Sequence, residues 1–119
     1  MAIMPATSAR PQRRFPRLCC DHPVFIEVLS ERGPQGFSRT RTLGEGGCCF
    51  KSPQGLGYRS LMKVAISVQG KVVNADGRVA YERPQADGYE VGVEFLRLAP
   101  EDRLHIRALV ASDAVHVER

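Results

Sequence analysis

Tryptophan is absent from this chain, and aromatic residues make up only 7% of it, which limits what its interior can contain. The 119 residues suffice for one domain, and hydrophobic residues account for 43% of them. We therefore expect one modest core of valine, leucine and isoleucine, completed by four phenylalanines: Phe25, Phe37, Phe50 and Phe95.

Long apolar segments are also missing. No run approaches the roughly 20 residues that a helix needs to cross a bilayer. The first fifteen residues, MAIMPATSARPQRRF, lack the apolar stretch of a secretory signal peptide. These two absences predict a soluble, cytoplasmic protein with no membrane insertion.

Lysine is scarce: only Lys51, Lys63 and Lys71 occur, and the net charge of +4 rests on arginine. The planar guanidinium group binds phosphate or the edge of guanine through two parallel hydrogen bonds. Four arginines fall within eight residues near the N-terminus: Arg10, Arg13, Arg14 and Arg17. A solvated basic arm and an anion-binding arm are both compatible with this cluster.

The cysteine spacing typical of zinc sites, two cysteines separated by two residues, does not occur. The four cysteines instead form two adjacent pairs, Cys19-Cys20 and Cys48-Cys49. Neighbours on a strand point to opposite faces, so an adjacent pair cannot readily hold one metal ion. The alternative is that one cysteine from each pair meets the other across adjacent strands, near His22. We interpret the cysteines as small buried strand residues and predict no metal.

Groups arranged for catalysis are missing as well. His22, His105 and His116 are isolated, and no carboxylate pair or nucleophile–base spacing stands out. Asp21 and His22 beside Cys20 are interpreted as a local coincidence. We predict that the protein is not an enzyme, has no catalytic residue and needs no cofactor.

Apolar residues recur at every second position after a flexible arm over residues 1–12, which is typical of β-strands. The clearest case is residues 61–69, where Met62, Val64, Ile66 and Val68 share one face. Turns rich in glycine or proline are predicted at 30–36, 53–58 and 83–88. A kink or bulge is expected within residues 74–77.

The period changes near the C-terminus. Pro100 suits the first position of a helix, and Glu101 and Asp102 suit its positive N-terminal end. One apolar side follows, made of Leu104, Ile106, Ala108, Leu109 and Val110. About six antiparallel strands and one helix predict a small closed β-barrel with a C-terminal helix over residues 13–112, followed by a frayed tail at 113–119.

Two segments are candidates for binding a ligand. Residues 12–17 (QRRFPR) place Arg13 and Arg17 four apart, and Pro16 argues against a helix, so an extended segment offers several guanidinium groups to one polyanion. Residues 42–47 (TLGEGG) are rich in glycine, which lets backbone N–H groups approach phosphate oxygens. Each segment alone is equally compatible with a solvated arm or a simple hairpin turn.

Together, and in this order, the two segments resemble the PilZ domain family, over nearly the whole chain after Pro11. The family has an Arg-x-x-x-Arg arm and a loop that begins Asp/Asn-x-Ser and ends in glycine. Residues 77–81 (GRVAY) and 88–95 (GYEVGVEF) resemble its last two barrel strands, and residues 99–103 (APEDR) the start of its C-terminal helix. The resemblance implies a six-stranded antiparallel split β-barrel with a C-terminal α-helix.

PilZ domains are typically bacterial receptors for the second messenger cyclic di-GMP, so the resemblance implies a receptor or adaptor that regulates a partner protein. Arg13 and Arg17 would bind phosphates and the Hoogsteen edges of guanine, which present acceptors to an arginine fork. Arg14 would add a cation. The second side of the ligand would be covered by Thr42, Gly44, Gly46 and Gly47. Tyr81 either stacks on a guanine or is a rim residue of the barrel.

Two positions depart from the family pattern: Thr42 replaces its Asp or Asn, and Gly44 its Ser, while Gly47 matches. A carboxylate or amide accepts guanine N1–H and N2–H together, which one hydroxyl cannot do. Each lost hydrogen bond costs roughly 0.5–1.5 kcal/mol. The two together cost about 1–3 kcal/mol, or roughly 5- to 150-fold in affinity. We therefore predict weakened binding of one or two cyclic di-GMP molecules.

Two other hypotheses remain open. The first is a PilZ-like protein-interaction adaptor whose degenerate loop does not bind cyclic di-GMP. The second is a small barrel that binds nucleic acid, which the basic arm favours. The predicted strands lack the interleaved surface aromatics expected for stacking on bases, so we predict no nucleic-acid partner.

Overall fold

The computed structural model describes residues 17–30, 33–112 and 117–118. Within these ranges the chain forms eight strands and one helix: β1 (Arg17–Cys19), β2 (Pro23–Val28), β3 (Gln35–Gly44), β4 (Gly47–Ser52), β5 (Leu61–Val68), β6 (Lys71–Gln85), β7 (Gly88–Leu98), α1 (Pro100–Ser112) and β8 (Val117–Glu118). None of the helical segments in the described ranges has the length and apolar character of a membrane span.

Six strands form the predicted closed antiparallel barrel, in the order β2-β5-β6-β7-β4-β3, with β2 pairing back onto β3. Strand β3 is long enough to pair with the short strand β1 as well as with β2. Residues 23–27 of β2 lie opposite residues 35–39, whereas β1 lies opposite residues 42–44. The sequence placed Arg17 ahead of the first strand. Arg17 instead begins β1, which fixes it in the sheet.

The barrel interior follows the predicted alternation. On β5, Met62, Val64, Ile66 and Val68 are all buried. Of the four phenylalanines expected in the core, Phe50 is fully buried, but 81% of Phe37 is exposed. Phe25 and Phe95 are only half-buried. Phe95 nevertheless packs against the core cluster. The prediction was wrong for Phe25 and Phe37 because Val24 and Ile26 take the inward positions on β2, and period two turns Phe25 and its partner Phe37 outward.

The connections differ in part from the predicted turns. A register shift between Asp76 and Gly77 confirms the bulge expected within residues 74–77. The turn predicted at 83–88 is shorter, since β6 continues to Gln85 and only Ala86 and Asp87 form the turn. The strand continues because Arg83 and Pro84 pair with the first residues of β7.

Helix α1 begins at Pro100, as predicted. Ile106, Leu109 and Val110 are buried in the core cluster of the barrel. Leu104 and Ala108 were expected on the same apolar side, but both are exposed, so the buried stripe is narrower. After the helix, β8 pairs with β1. The boundaries of the arm, the barrel domain and the tail stay predictions.

The cysteine prediction holds for one pair. Cys48 and Cys49 are buried in β4, whereas Cys19 is exposed and Cys20 half-buried; all four are free thiols. Strand β3 lies between β1 and β4, so the two pairs do not sit on adjacent strands. Burial raises the pKa of Cys48 to about 12 and that of Cys49 to about 11. No group of three potential metal ligands occurs among the residues that the structure describes.

Candidate ligand site on the outer face of the barrel

Strand pairing aligns the described candidate residues other than Gly46 in two rows that cross β1, β3, β4, β7 and β6. The first row contains Arg17, Gly44, Gly47, Glu94 and Arg78; the second contains Cys19, Thr42, Cys49, Gly92 and Tyr81. Directly paired residues point to the same side of a sheet. The residues between the rows, such as Leu43, Cys48 and Val93, are buried in the core. Both rows therefore lie on the outside of the barrel, and we call this surface the outer face.

Arg17 lies against Gly47. A Cβ atom placed on Gly47 would lie 3.0 Å from Nη2 of Arg17 and 2.1 Å from the carbonyl oxygen of Val93. The second distance is a clash with the backbone of β7, which only glycine avoids. The loop residue that matches the family pattern is thus required by strand packing, and its missing side chain makes room for the guanidinium group.

The glycine loop is shorter than the sequence suggested. Gly44 ends β3 and pairs with Gly47 at the start of β4, so only Glu45 and Gly46 form the turn. The carbonyl of Gly46 accepts a hydrogen bond of 2.9 Å from the N–H of Phe95. Gly44 and Gly47 therefore act as sheet residues that keep this end of the outer face flat.

The turn is tied to the helix through Glu45. The Glu45 carboxylate is buried and accepts two hydrogen bonds of 3.0 Å, from Nε and Nη2 of Arg107. Nη1 of Arg103 lies 3.8 Å from the same carboxylate. Hydrogen bonding by Arg107 and the charges of both arginines lower the pKa of Glu45. No sequence motif signalled this contact, which joins residues 62 apart in the chain.

Thr42 contributes a buried hydroxyl group to the second row. Its Oγ1 atom is buried and makes no hydrogen bond with any residue in the described part of the chain. A buried polar group left in this state costs about 1–3 kcal/mol. The hydroxyl occupies the position at which the family carries Asp or Asn, in the row next to Arg17.

Tyr81 ends the second row, four strand spacings from β1. At about 4.8 Å per spacing, four spacings correspond to about 19 Å measured along the sheet. Its O–H donates a hydrogen bond of 3.0 Å to Glu90, and Arg83 lies 4.8 Å from its ring centroid. Burial raises the pKa of Tyr81. Tyr81 is thus held in a packed cluster, and its stacking on a guanine stays a prediction.

Glu90 is the residue of this cluster that the sequence analysis missed. Its Oε2 atom also accepts a hydrogen bond of 3.2 Å from the Cys49 thiol, and Gln85 donates to Oε1 at 3.3 Å. Burial acts to raise the pKa of Glu90, but the hydrogen bonds from Cys49 and Tyr81 help to lower it. Its pairing with Arg83 across the β6–β7 hairpin is the feature that could have identified Glu90.

The sequence of this chain matches the model of a known domain family over most of its length. A sequence model of the PilZ domain matches residues 11–112. The chain belongs to the PilZ domain family. No curated protein sequence matches it. The Arg13 and Arg14 positions of the predicted arm fall inside the matched range but outside the described residues.

Solved structures similar to this PilZ domain include the motility inhibitor MotI/DgrA of Bacillus subtilis, with a TM-score of 0.72, 13% identity, and coverage of 88% of this chain and 52% of that one. YcgR of Escherichia coli in complex with c-di-GMP has a TM-score of 0.70 and 16% identity, and the match covers 87% of this chain and 46% of that one. MrkH of K. pneumonia, a c-di-GMP-dependent transcription regulatory factor, has a TM-score of 0.66 and 16% identity, and the match covers 87% of this chain and 52% of that one. This PilZ domain therefore spans about half the length of each.

Proposed function

We propose that this PilZ domain is a bacterial second-messenger receptor that binds cyclic di-GMP on its outer face and then regulates a partner protein. The observation that supports this most is the position of Arg17, whose guanidinium group lies against Gly47 in the row beside the unpaired hydroxyl of Thr42. A cation, a flat glycine surface and an unsatisfied hydroxyl together suit a ligand that carries phosphates and polar base edges.

Each predicted site residue has a role in the proposal. Arg17 and Arg13 bind phosphates and guanine edges, and Arg14 adds positive charge. The turn and its flanks complete the other side of the ligand, through Thr42, Gly44, Gly46 and Gly47. Tyr81 stacks on a base only if Arg83 leaves its place over the ring. No catalytic group is part of this function.

In this proposal, regulation depends on the N-terminal arm becoming ordered when the nucleotide binds. Residues 11–16, which lie outside the described residues, fold over the bound nucleotide ahead of Arg17 and thereby change the surface presented to a partner. The Glu45–Arg107 contact offers a second route, because it joins the ligand-binding turn to α1. The partner is a protein, and the similarity to MrkH keeps nucleic acid open as a further one.

The second candidate function is a protein-interaction adaptor that does not bind cyclic di-GMP. The observation in its favour is the pair of substitutions at Thr42 and Gly44, which remove side-chain acceptors for the guanine edge. The two candidates differ in one measurable property, the affinity for the nucleotide.

Isothermal titration of the full chain with cyclic di-GMP separates the candidates. We expect the wild type to bind and Arg17→Ala to lose binding. Thr42→Asp combined with Gly44→Ser is expected to strengthen binding by about 5- to 150-fold, because it restores two hydrogen-bonding groups.

Lys63→Ala provides the control for loss of one positive charge, since Lys63 is exposed on β5, on the opposite wall of the barrel. It is expected to leave the affinity unchanged. If the wild type gives no heat, and no shift of the amide signals of Arg17 or residues 42–47, the receptor proposal is wrong and the adaptor candidate stands.

A further inference from the structure

Strand β3 contains an irregularity beside the ligand site. Its register against β4 shifts between Thr40 and Thr42, which marks a β-bulge. Thr40 pairs with the buried Phe50, and Leu43 is itself buried opposite Cys48, so both of these β3 residues face the core. Strict alternation would turn Thr42 inward. With the bulge, Arg41 and Thr42 lie side by side on the outer face.

An open groove of about 540 Å³ surrounds Arg41 on this face. Three cations and one acid contribute to its lining: Arg39, Arg41, Lys51 and Asp21. Cys19, which stands next to Thr42 in the second row, also lines it. The groove therefore carries a net positive charge and reaches the second row of the outer face at Cys19.

The three cations of the groove differ in their partners. Arg39 is paired with Asp21, and Lys51 with Asp87. Arg41 makes no side-chain hydrogen bond or ion pair with a residue in the described ranges, although its backbone carbonyl accepts a hydrogen bond of 3.0 Å from the N–H of Cys20. Its charge acts at longer range and is one of the causes that lower the pKa of Asp87 and of Glu90. Its side chain is exposed, so its guanidinium group is open to a ligand.

We propose that Arg41 binds a phosphate of the nucleotide and thereby compensates for the acceptors missing at Thr42 and Gly44. The inference rests on the proposed function and adds a binding residue to it. The guanidinium group of Arg41, beside Thr42, donates two charge-assisted hydrogen bonds to phosphate oxygens. These replace the two hydrogen bonds that a carboxylate at position 42 would accept from guanine. Recognition in this chain thus relies more on phosphate and less on the donor edge of the base.

Arg41→Ala is expected to weaken cyclic di-GMP binding by about 10- to 100-fold, the effect of losing a charge-assisted contact. The same variant is expected to show a smaller dependence of affinity on salt concentration, since one ionic contact is gone. Arg41→Lys is expected to keep most of the salt dependence but lose part of the affinity, because an ammonium group cannot form the fork. Titration calorimetry at two salt concentrations measures both quantities.

Arg39→Ala is the matched control, on the same strand and in the same groove but with its guanidinium held by Asp21. It is expected to change the affinity less than about threefold, as its contact is with protein rather than ligand. Arg41→Ala with wild-type affinity and salt dependence would overturn the role of Arg41 while leaving the receptor function intact. A wild type that binds no cyclic di-GMP overturns both.

Discussion

At the scale of single residues, two glycines determine the shape of the outer face. Gly47 has no room for a side chain because of the backbone of Val93, and Gly92 has none because of the Tyr81 ring. A Cβ atom on Gly92 would lie 2.0 Å from Cε2 of Tyr81. Both glycines are therefore required by contacts between neighbouring strands rather than by a turn.

Gly92→Ala tests this contact. The added methyl group is expected to push the ring of Tyr81 away, break its hydrogen bond to Glu90 and lower the free energy of unfolding by about 1–3 kcal/mol. Urea unfolding measures the loss. Gly36→Ala is the control, because nothing lies within 4 Å of a Cβ atom there. Equal losses in the two variants would show that the effect is a general property of glycines in these strands.

At the scale of elements, the bidentate contact between Glu45 and Arg107 is what joins the β3–β4 turn to α1. The turn contains only two residues and lies at the proposed site. Because its Glu45 is hydrogen-bonded to Arg107, a displacement of the turn is expected to displace the helix as well. The hydrogen bonds also make this junction sensitive to acid. Since the folded state lowers the pKa of Glu45, the ionised carboxylate stabilises it, and that contribution disappears as pH falls through the lowered value.

Glu45→Gln is therefore expected to lower the Tm by a few degrees at neutral pH. The difference from the wild type should shrink as the pH falls below the ordinary glutamate pKa of 4.5, because the wild type then loses the same charge. Thermal melts over a pH series provide the measurement. Glu27→Gln, at an exposed acid on β2 away from the turn and the helix, serves as the control and is expected to have little effect. A Tm difference that stays constant at all pH values would contradict the role given to ionisation.

At the scale of the whole molecule, the closed barrel follows from alternation that is visible in the sequence. Residues 61–68 bury every second side chain as expected, and Pro100 begins the helix as expected. Alternation does not specify which strands are neighbours, so the outward position of Phe37 and the Glu45–Arg107 contact could not be predicted. The family motif pointed to Arg17 and the turn glycines. It gave no indication of Glu90 or of the bulge beside Arg41.

The contrast between Phe50 and Phe37 tests how the core holds the barrel closed. Phe50→Ala removes a fully buried ring from the centre of β4 and is expected to cost about 3–5 kcal/mol of unfolding free energy. Phe37→Ala removes an exposed ring whose centroid lies 4.8 Å from that of the Phe25 ring. It is expected to lower the free energy of unfolding by at most about 1.5 kcal/mol. Urea unfolding curves give both values. Similar costs at the two positions would contradict the division between core and surface.

The pairing of β1 with β3 restricts how this part of the chain can change in length. Leu18 is buried and Arg17 faces outward only because the two are consecutive residues of one strand. One residue inserted between them would turn the guanidinium group toward the core. Two would restore its direction but displace it by about 7 Å. Insertions ahead of Arg13 change neither this alternation nor the four-residue spacing of Arg13 and Arg17, so length variation in related chains is expected to concentrate upstream of Arg13.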